Sequence, residues 1–243
     1  MYSKFSKSYK KNLSKIFPEL QHNHIKIIDG MNRSILAHPF DSNFSTKKNE
    51  FKFLINSYGG SFTSALIKYL NPKYENYTNH MWYHLELKHK ISPPVDISHN
   101  FKAIYIYGDP RDALISIYSR KLQNIHYLNT FQKKKKLPKT IEAFLDDEVD
   151  YFKFLEHHIN WTKKSSCKRN FEILVIDYRK IWNYKKEILD FLELPNEMLH
   201  AFPKKMERKS SYKKLSSNYQ KKINLIFKKL LNIIEKTPDF IVI

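Results

Sequence analysis

Short apolar runs punctuate the chain. Residues 24–29 (HIKIID), 51–56 (FKFLIN), 81–88 (MWYHLELK), 101–107 (FKAIYIY) and 171–177 (FEILVID) are each rich in β-branched or aromatic residues and bounded by turn formers, which predicts strands. Between them, apolar positions recur every three or four residues. That spacing predicts helices over 61–70, 111–127, 140–162, 180–193 and 215–236. The last is the clearest: in NYQKKINLIFKKLLNIIEK a stripe of Ile, Leu and Phe faces lysines. Strands alternating with helices predict an α/β fold of three layers, a parallel central sheet flanked by helices. Residues 1–23 read as an amphipathic helix or arm. In FQKKKKLPKT, residues 131–140, four lysines in a row repel one another and resist burial. This is the expected mobile loop, with contact to an anionic substrate as the alternative.

The chain of 243 residues suits one domain, 1–243, with room for a sizeable core. Its 42% apolar content is too high for a disordered chain. Lysines number 37 against 6 arginines, a bias that fits an AT-rich coding sequence, and the net charge is +19. Such a field favours anionic partners: phosphorylated or sulfated small molecules, acidic glycans or nucleic acid. The single cysteine, Cys167, excludes an intrachain disulfide and a multi-cysteine metal site. No secretory signal and no apolar run of membrane-spanning length is seen, so a soluble, cytoplasmic protein is expected.

Glycine is scarce, and its placement is the strongest local signal. Of four glycines, Gly59, Gly60 and Gly108 fall where a predicted strand runs into a predicted helix. In LINSYGGSFTSALIKYL, residues 54–70, the first helical N–H groups lack intrahelical partners and the helix dipole adds positive charge. Ser61, Thr63 and Ser64 add hydroxyls. On these residues alone, an anion cradle and a tight turn that needs glycine are both open. A Walker A loop is excluded, since no lysine stands at the required place. FKAIYIYGDPRDALISIYSRKLQ, residues 101–123, repeats the layout with Gly108, Asp109-Pro110 and Ser116. In open parallel sheets, ligands bind at such strand ends. Two of them suggest one ligand with two anionic ends.

Here the sequence resembles the sulfotransferases that use 3′-phosphoadenosine 5′-phosphosulfate (PAPS). SYGGSFT, residues 57–63, stands where that family has P-K-S-G-T-[TS]. GDPRDALIS, residues 108–116, stands for R-x-P-x-D-x-x-x-S, with Pro110, Asp112 and Ser116 at matching spacing. Lys88-His89 in ELKHKISPP is similar to K-[ST]-H. ILVIDYRKIWNYKKEILDFLELP resembles the family's strand, Y-E-D-L and helix, and ERKSSYKKL, residues 207–215, the late R-K-G segment. The resemblance spans about residues 50–215, with 216–243 as a C-terminal helix and tail. It implies the nucleotide-kinase-like fold of that family. It implies that Gly59, Gly60, Ser61, Phe62, Thr63 and Ser64 hold the 5′-phosphosulfate, and that the second turn, with Gly108 and Arg111, lies at the 3′-phosphate. Ser116, Arg208 and Lys209 would hold the 3′-phosphate, and Tyr178 would contact adenine. The product would be adenosine 3′,5′-bisphosphate. Three family positions differ. No Lys or Arg lies between Lys52 and Lys68, Gly108 replaces the R-x-P arginine, and Thr63 stands near the usual adenine-stacking tryptophan. Arg111, Arg120, Lys88, Arg208 and Lys209 are the available substitutes.

Sulfuryl transfer is governed, like phosphoryl transfer, by in-line positioning and charge stabilisation. The acceptor, a hydroxyl or amine of a small molecule, glycan or peptide, must lose a proton. His89 is the candidate base and Lys88 the candidate stabiliser of charge on the sulfuryl oxygens. No metal is expected; neither His22/His24 nor His157-His158 comes with a carboxylate or cysteine pattern. Two rivals remain: a catalytically degenerate module that binds a nucleotide or anionic glycan, and a nucleic-acid-binding protein, for which the charge speaks but no recognised motif does.

Overall fold

In the computed structural model the described residues are 52–70, 88–94, 102–131, 133, 135–163, 169, 171–205, 207–208 and 211–243, all within one unit, Lys47–Ile243. The expected N-terminal arm, the strand at 24–29, residues 81–87 and Lys209 lie outside them.

Three of the expected strands form: β1 (Phe53–Asn56), β2 (Lys102–Tyr107) and β3 (Ile173–Asp177). They pair in parallel, with Ile55 opposite Ile104 and Ile104 opposite Leu174. A fourth, β4 (Phe240–Val242), closes the sheet antiparallel to β3, so the order is β1-β2-β3-β4. Three residues are too short for a periodic signal, which is why the sequence pattern does not predict β4.

Between β1 and β2 runs helix α1 (Thr63–Leu70). After β2 come α2 (Pro110–Ser119), α3 (Gln123–Phe131), α4 (Ile141–Asp146) and α5 (Phe154–Thr162). After β3, a 3₁₀ turn over Tyr178–Asn183 leads into α6 (Lys185–Phe191), and α7 (Ser217–Ile234) precedes β4. Two predicted helices are thus broken. The helix expected over 111–127 ends at Ser119 and restarts at Gln123, with Lys121 left-handed at φ 55°. The helix expected over 140–162 breaks at 147–153, where Glu148 and Lys153 take positive φ. There Asp150 accepts from the N–H groups of Phe152 and Phe154, at 3.2 and 2.7 Å, and caps the next helix.

Alternation along the strands builds the three layers. Ile55, Ile104, Ile106, Leu174 and Ile176 meet Leu66, Ile67 and Leu70 of α1 and Ile188 and Leu189 of α6 on one face. On the other, Tyr105 stacks on Trp161 of α5 at 5.6 Å. A column of parallel rings, Phe144–Phe152–Phe154–Phe227, continues that layer into α7.

Two strand ends share one device. Asp109 after β2 and Asp177 at the end of β3 each accept from the N–H two residues on, at 2.9 and 2.8 Å, and each pairs with that residue's guanidinium, Arg111 or Arg179. The carboxylates start the next helical turn and use up the arginines that follow them.

A third strand end is tied differently. Tyr58, just after β1, is 1% exposed and stacks on Phe154 at 5.0 Å. Its hydroxyl accepts from the Gly108 N–H at 2.8 Å and donates to the Gly108 carbonyl. Tyr58→Phe deletes both bonds and strands two buried backbone groups, which costs about 1–3 kcal/mol. Urea denaturation should show a lower midpoint of that size; an unchanged midpoint would rule out the clamp as a stabilising contact.

Candidate active site

The loop from Ser57 to Phe62 turns the chain from β1 into α1. Gly59 and Gly60 have φ of 107° and 64°, and Phe62 has 67°, a region costly for side chains with a Cβ. Space is short as well as conformation. A Cβ on Gly59 would lie 2.8 Å from Cε1 of His126. One on Gly60 would lie 3.0 Å from an Nη of Arg208 and 3.1 Å from Cα of Ala113 in α2. The glycine pair therefore lets an imidazole and a second helix close against the loop.

Within the loop, hydroxyls do the fastening. Ser57 Oγ accepts from the Gly59 N–H at 3.1 Å and bonds Thr63 Oγ1 at 2.7 Å, and Ser61 Oγ donates to the Gly59 carbonyl at 2.8 Å. The Gly59 N–H is thus satisfied internally. The N–H groups of residues 60–64 have no partner among the described residues, while those of Ala65 and Leu66 bond the Phe62 carbonyl. Five consecutive donors at a helix start form an anion cradle in which the dipole favours negative charge.

Lys88 and His89 reach this loop from the side. Their backbone is helical and turn, not the strand end that the sequence pattern predicts. The Ser57 N–H donates to the Lys88 carbonyl at 3.1 Å. The Lys88 ammonium donates to Ser64 Oγ at 2.5 Å, over the start of α1. Burial, and then the charge of Arg120, lowers the lysine to about 8. His89 Nδ1 donates to the Ser57 carbonyl at 2.8 Å, which fixes the tautomer and leaves the lone pair on Nε2. Burial and the neighbouring His126 hold His89 well below its ordinary range, hence neutral near pH 7. Its ring packs on that of His126 at 4.4 Å.

The other candidates gather on the far side of Gly60. Asp112 Oδ1 accepts from the Tyr212 N–H at 2.9 Å, and its Oδ2 faces Arg208 Nε at 3.8 Å. The motif aspartate thus ties the segment around 208–212 to α2. Arg208 sits 5.6 Å over the Tyr178 ring, and a Cβ on Gly60 would lie 3.4 Å from Ser116 Cβ. Tyr178 also explains Gly108: a Cβ there would lie 3.1 Å from the Tyr178 Cδ1. Ser116, Tyr178, Arg208 and the two glycine turns are thereby brought together. Arg111 is not among them. Its guanidinium is held by Asp109, by Asn224 Oδ1 at 2.7 Å and by the face of Tyr212 at 3.9 Å, because the aspartate two residues before it caps α2.

His126 is the site residue that the sequence did not flag. It lies on α3 with no motif around it, and only the fold brings it beneath Gly59. Among the described residues no group of three or more His, Cys, Asp or Glu is arranged to hold a metal, and no helix is long and apolar enough to cross a membrane. One family model, described as the sulfotransferase domain, matches residues 8–240. No curated protein is significantly similar to the chain.

Four imidazoles in this region, His89, His126, His157 and His158, are held below their usual range chiefly by burial, His158 at about 4 and His126 at about 3. In the unfolded chain each takes a proton below about pH 6.5, while in the folded chain it does not. Unfolding then takes up protons. The stability they confer is complete above that pH and is lost as pH falls toward the folded values. Each contributes a slope of about 1.4 kcal/mol per pH unit in that window. Urea unfolding at pH 7, 6 and 5 should show steeply falling stability, and His126→Phe should reduce the slope by one proton. Stability that is level from pH 7 to 5 would contradict this.

Proposed function

Since the chain belongs to the sulfotransferase domain family, by a match over residues 8–240, we propose that it transfers the sulfuryl group of PAPS to a hydroxyl or amine acceptor. Family membership supports a sulfotransferase activity in general, and PAPS is the donor that the family generally uses. The observation that carries the finer reading is the meeting of Lys88, His89 and the free N–H groups of residues 60–64 at one helix start.

The residues fit the donor. The N–H groups of residues 60–64 and the Ser64 hydroxyl would hold the phosphosulfate end. Arg208 and Ser116 would hold the 3′-phosphate, with Lys209 as the sequence resemblance implies. Tyr178 would flank the base. Lys88 supplies from the side the positive charge that the loop lacks, since the family's loop lysine falls, by the resemblance, on Tyr58, which is buried in the core, or on Gly59. His89 Nε2 takes the proton from the acceptor oxygen or nitrogen as that atom bonds to sulfur. The sulfur–oxygen bond to the phosphate breaks, and the electron pair leaves with the phosphate, where Lys88 and the N–H cradle balance its charge.

One observation favours a second reading, a binding module without turnover: no lysine or arginine stands in the loop between Lys52 and Lys68. Calorimetric titration with adenosine 3′,5′-bisphosphate, followed by an acceptor screen with labelled PAPS, separates the two. Binding with transfer supports the enzyme; binding without transfer to any acceptor supports the module. No binding of the nucleotide and no transfer would defeat the enzyme and leave only a module for an anionic glycan.

His89→Asn keeps a side chain able to donate to the Ser57 carbonyl but cannot take the proton. Turnover should fall by about 10²–10⁴ while the bisphosphate binds as before, and undiminished turnover would remove His89 from the chemistry. The Lys88 ammonium, at about 8 in the free protein, loses its proton above that pH. The kcat/KM for the donor, which reports the free enzyme, should decline there. Lys88→Arg should move the decline to higher pH, and a decline that stays put would assign it to another group.

A further inference from the structure

We propose that Arg120, at the C-terminal end of α2, supplies the guanidinium for the second phosphate of the nucleotide that position 108 does not provide. The inference rests on the nucleotide reading above. An arginine at position 108 would crowd the Tyr178 ring, whose Cδ1 lies 3.1 Å from where its Cβ would stand, so the ring would have to shift. The charge has to come from elsewhere, and Arg120 is placed to bring it.

Its Nε donates to the Ser116 carbonyl at 2.9 Å, one turn back along the helix. That bond holds the side chain along the Ser116 turn, and Ser116 itself is beside Gly60 and Arg208. A guanidinium has five N–H donors in a fixed fork, and the four that remain on Arg120 make no hydrogen bond among the described residues. The contrast with other arginines is informative. Arg111, Arg179 and Arg208 each face an aspartate, whereas Arg120 faces none among the described residues. Its charge acts on Lys88, and that of Arg208 acts on it. Asp112 faces Arg208 at 3.8 Å, but no carboxylate among the described residues faces Arg120, so the cations repel one another until an anion arrives. A phosphate dianion bound bidentately by the fork would relieve that repulsion, and planar bidentate recognition is what arginine does better than lysine.

The test is calorimetry of the full chain with two probes, adenosine 3′,5′-bisphosphate and adenosine 5′-monophosphate. Arg120→Ala should weaken the bisphosphate about 10- to 100-fold, as expected for a lost charge-assisted hydrogen bond, and should weaken the monophosphate far less. Arg120→Lys, which keeps the charge but not the fork, should fall between. Arg120 is an exposed residue and its loss relieves the repulsion, so the melting temperature without ligand should not fall; Arg120→Gln gives the same reading where the alanine variant does not fold. Wild-type affinity for the bisphosphate in these variants overturns the proposal. Equal losses for both probes also overturn it, since they would reduce Arg120 to a contributor to the general field. If the unaltered chain binds neither nucleotide, the nucleotide reading itself fails and takes the role of Arg120 with it.

Discussion

One phenol hydroxyl holds the site together. Tyr58 is buried beyond the end of β1 and bonds both backbone groups of Gly108 beyond the end of β2. Burial raises its pKa, so it stays a neutral donor and acceptor at any ordinary pH. Both glycine-bearing strand-to-helix turns are therefore fixed to each other, not only to their own strands. The ring is fixed in turn by Phe154, in the column of phenyl rings that runs to α7. A distortion anywhere in that column reaches the glycine turns through a single side chain.

Around this clamp, charge is arranged asymmetrically. The strand-end carboxylates Asp109 and Asp177 are turned to capping and to their own arginines, while Lys88, Arg120 and Arg208 lie near the turns, with Asp112 facing Arg208. Buried imidazoles add polar groups without adding charge near neutral pH. The result is a locally positive cluster in a chain of net charge +19. Long-range field steers anions toward the protein in general; the local cluster, partly desolvated, gives them a place to stop.

Much of this was legible in the residues, for physical reasons that differ. β1, β2 and β3 announce themselves because strands buried on both faces are apolar along their length, and the strand–glycine–helix turns stand out in a chain so poor in glycine. The helix breaks at Lys121 and at 147–153 were not legible, since apolar spacing continues across them and tertiary packing decides. Nor was β4, whose three residues gain their structure from pairing with β3. The site divides in the same way. Lys88, His89, Ser116, Tyr178 and Arg208 sit in recognisable stretches. His126 does not, because its place beneath Gly59 depends on where α3 lands. Arg111 reads in the sequence as a cation after a glycine turn, and only the fold shows its guanidinium held by Asp109 and Asn224.

The fit between Gly59 and His126 makes the loop hard to reverse. Restoring a lysine to it at position 59 would drive a Cβ to 2.8 Å from the imidazole, and at position 58 would remove the hydroxyl that joins the two turns. Either change would lower stability before the added charge could act. A lysine at position 59 would need a smaller residue in place of His126, and one at position 58 would need the Gly108 bonds replaced. Lys88, reaching the start of α1 from the side, disturbs neither contact.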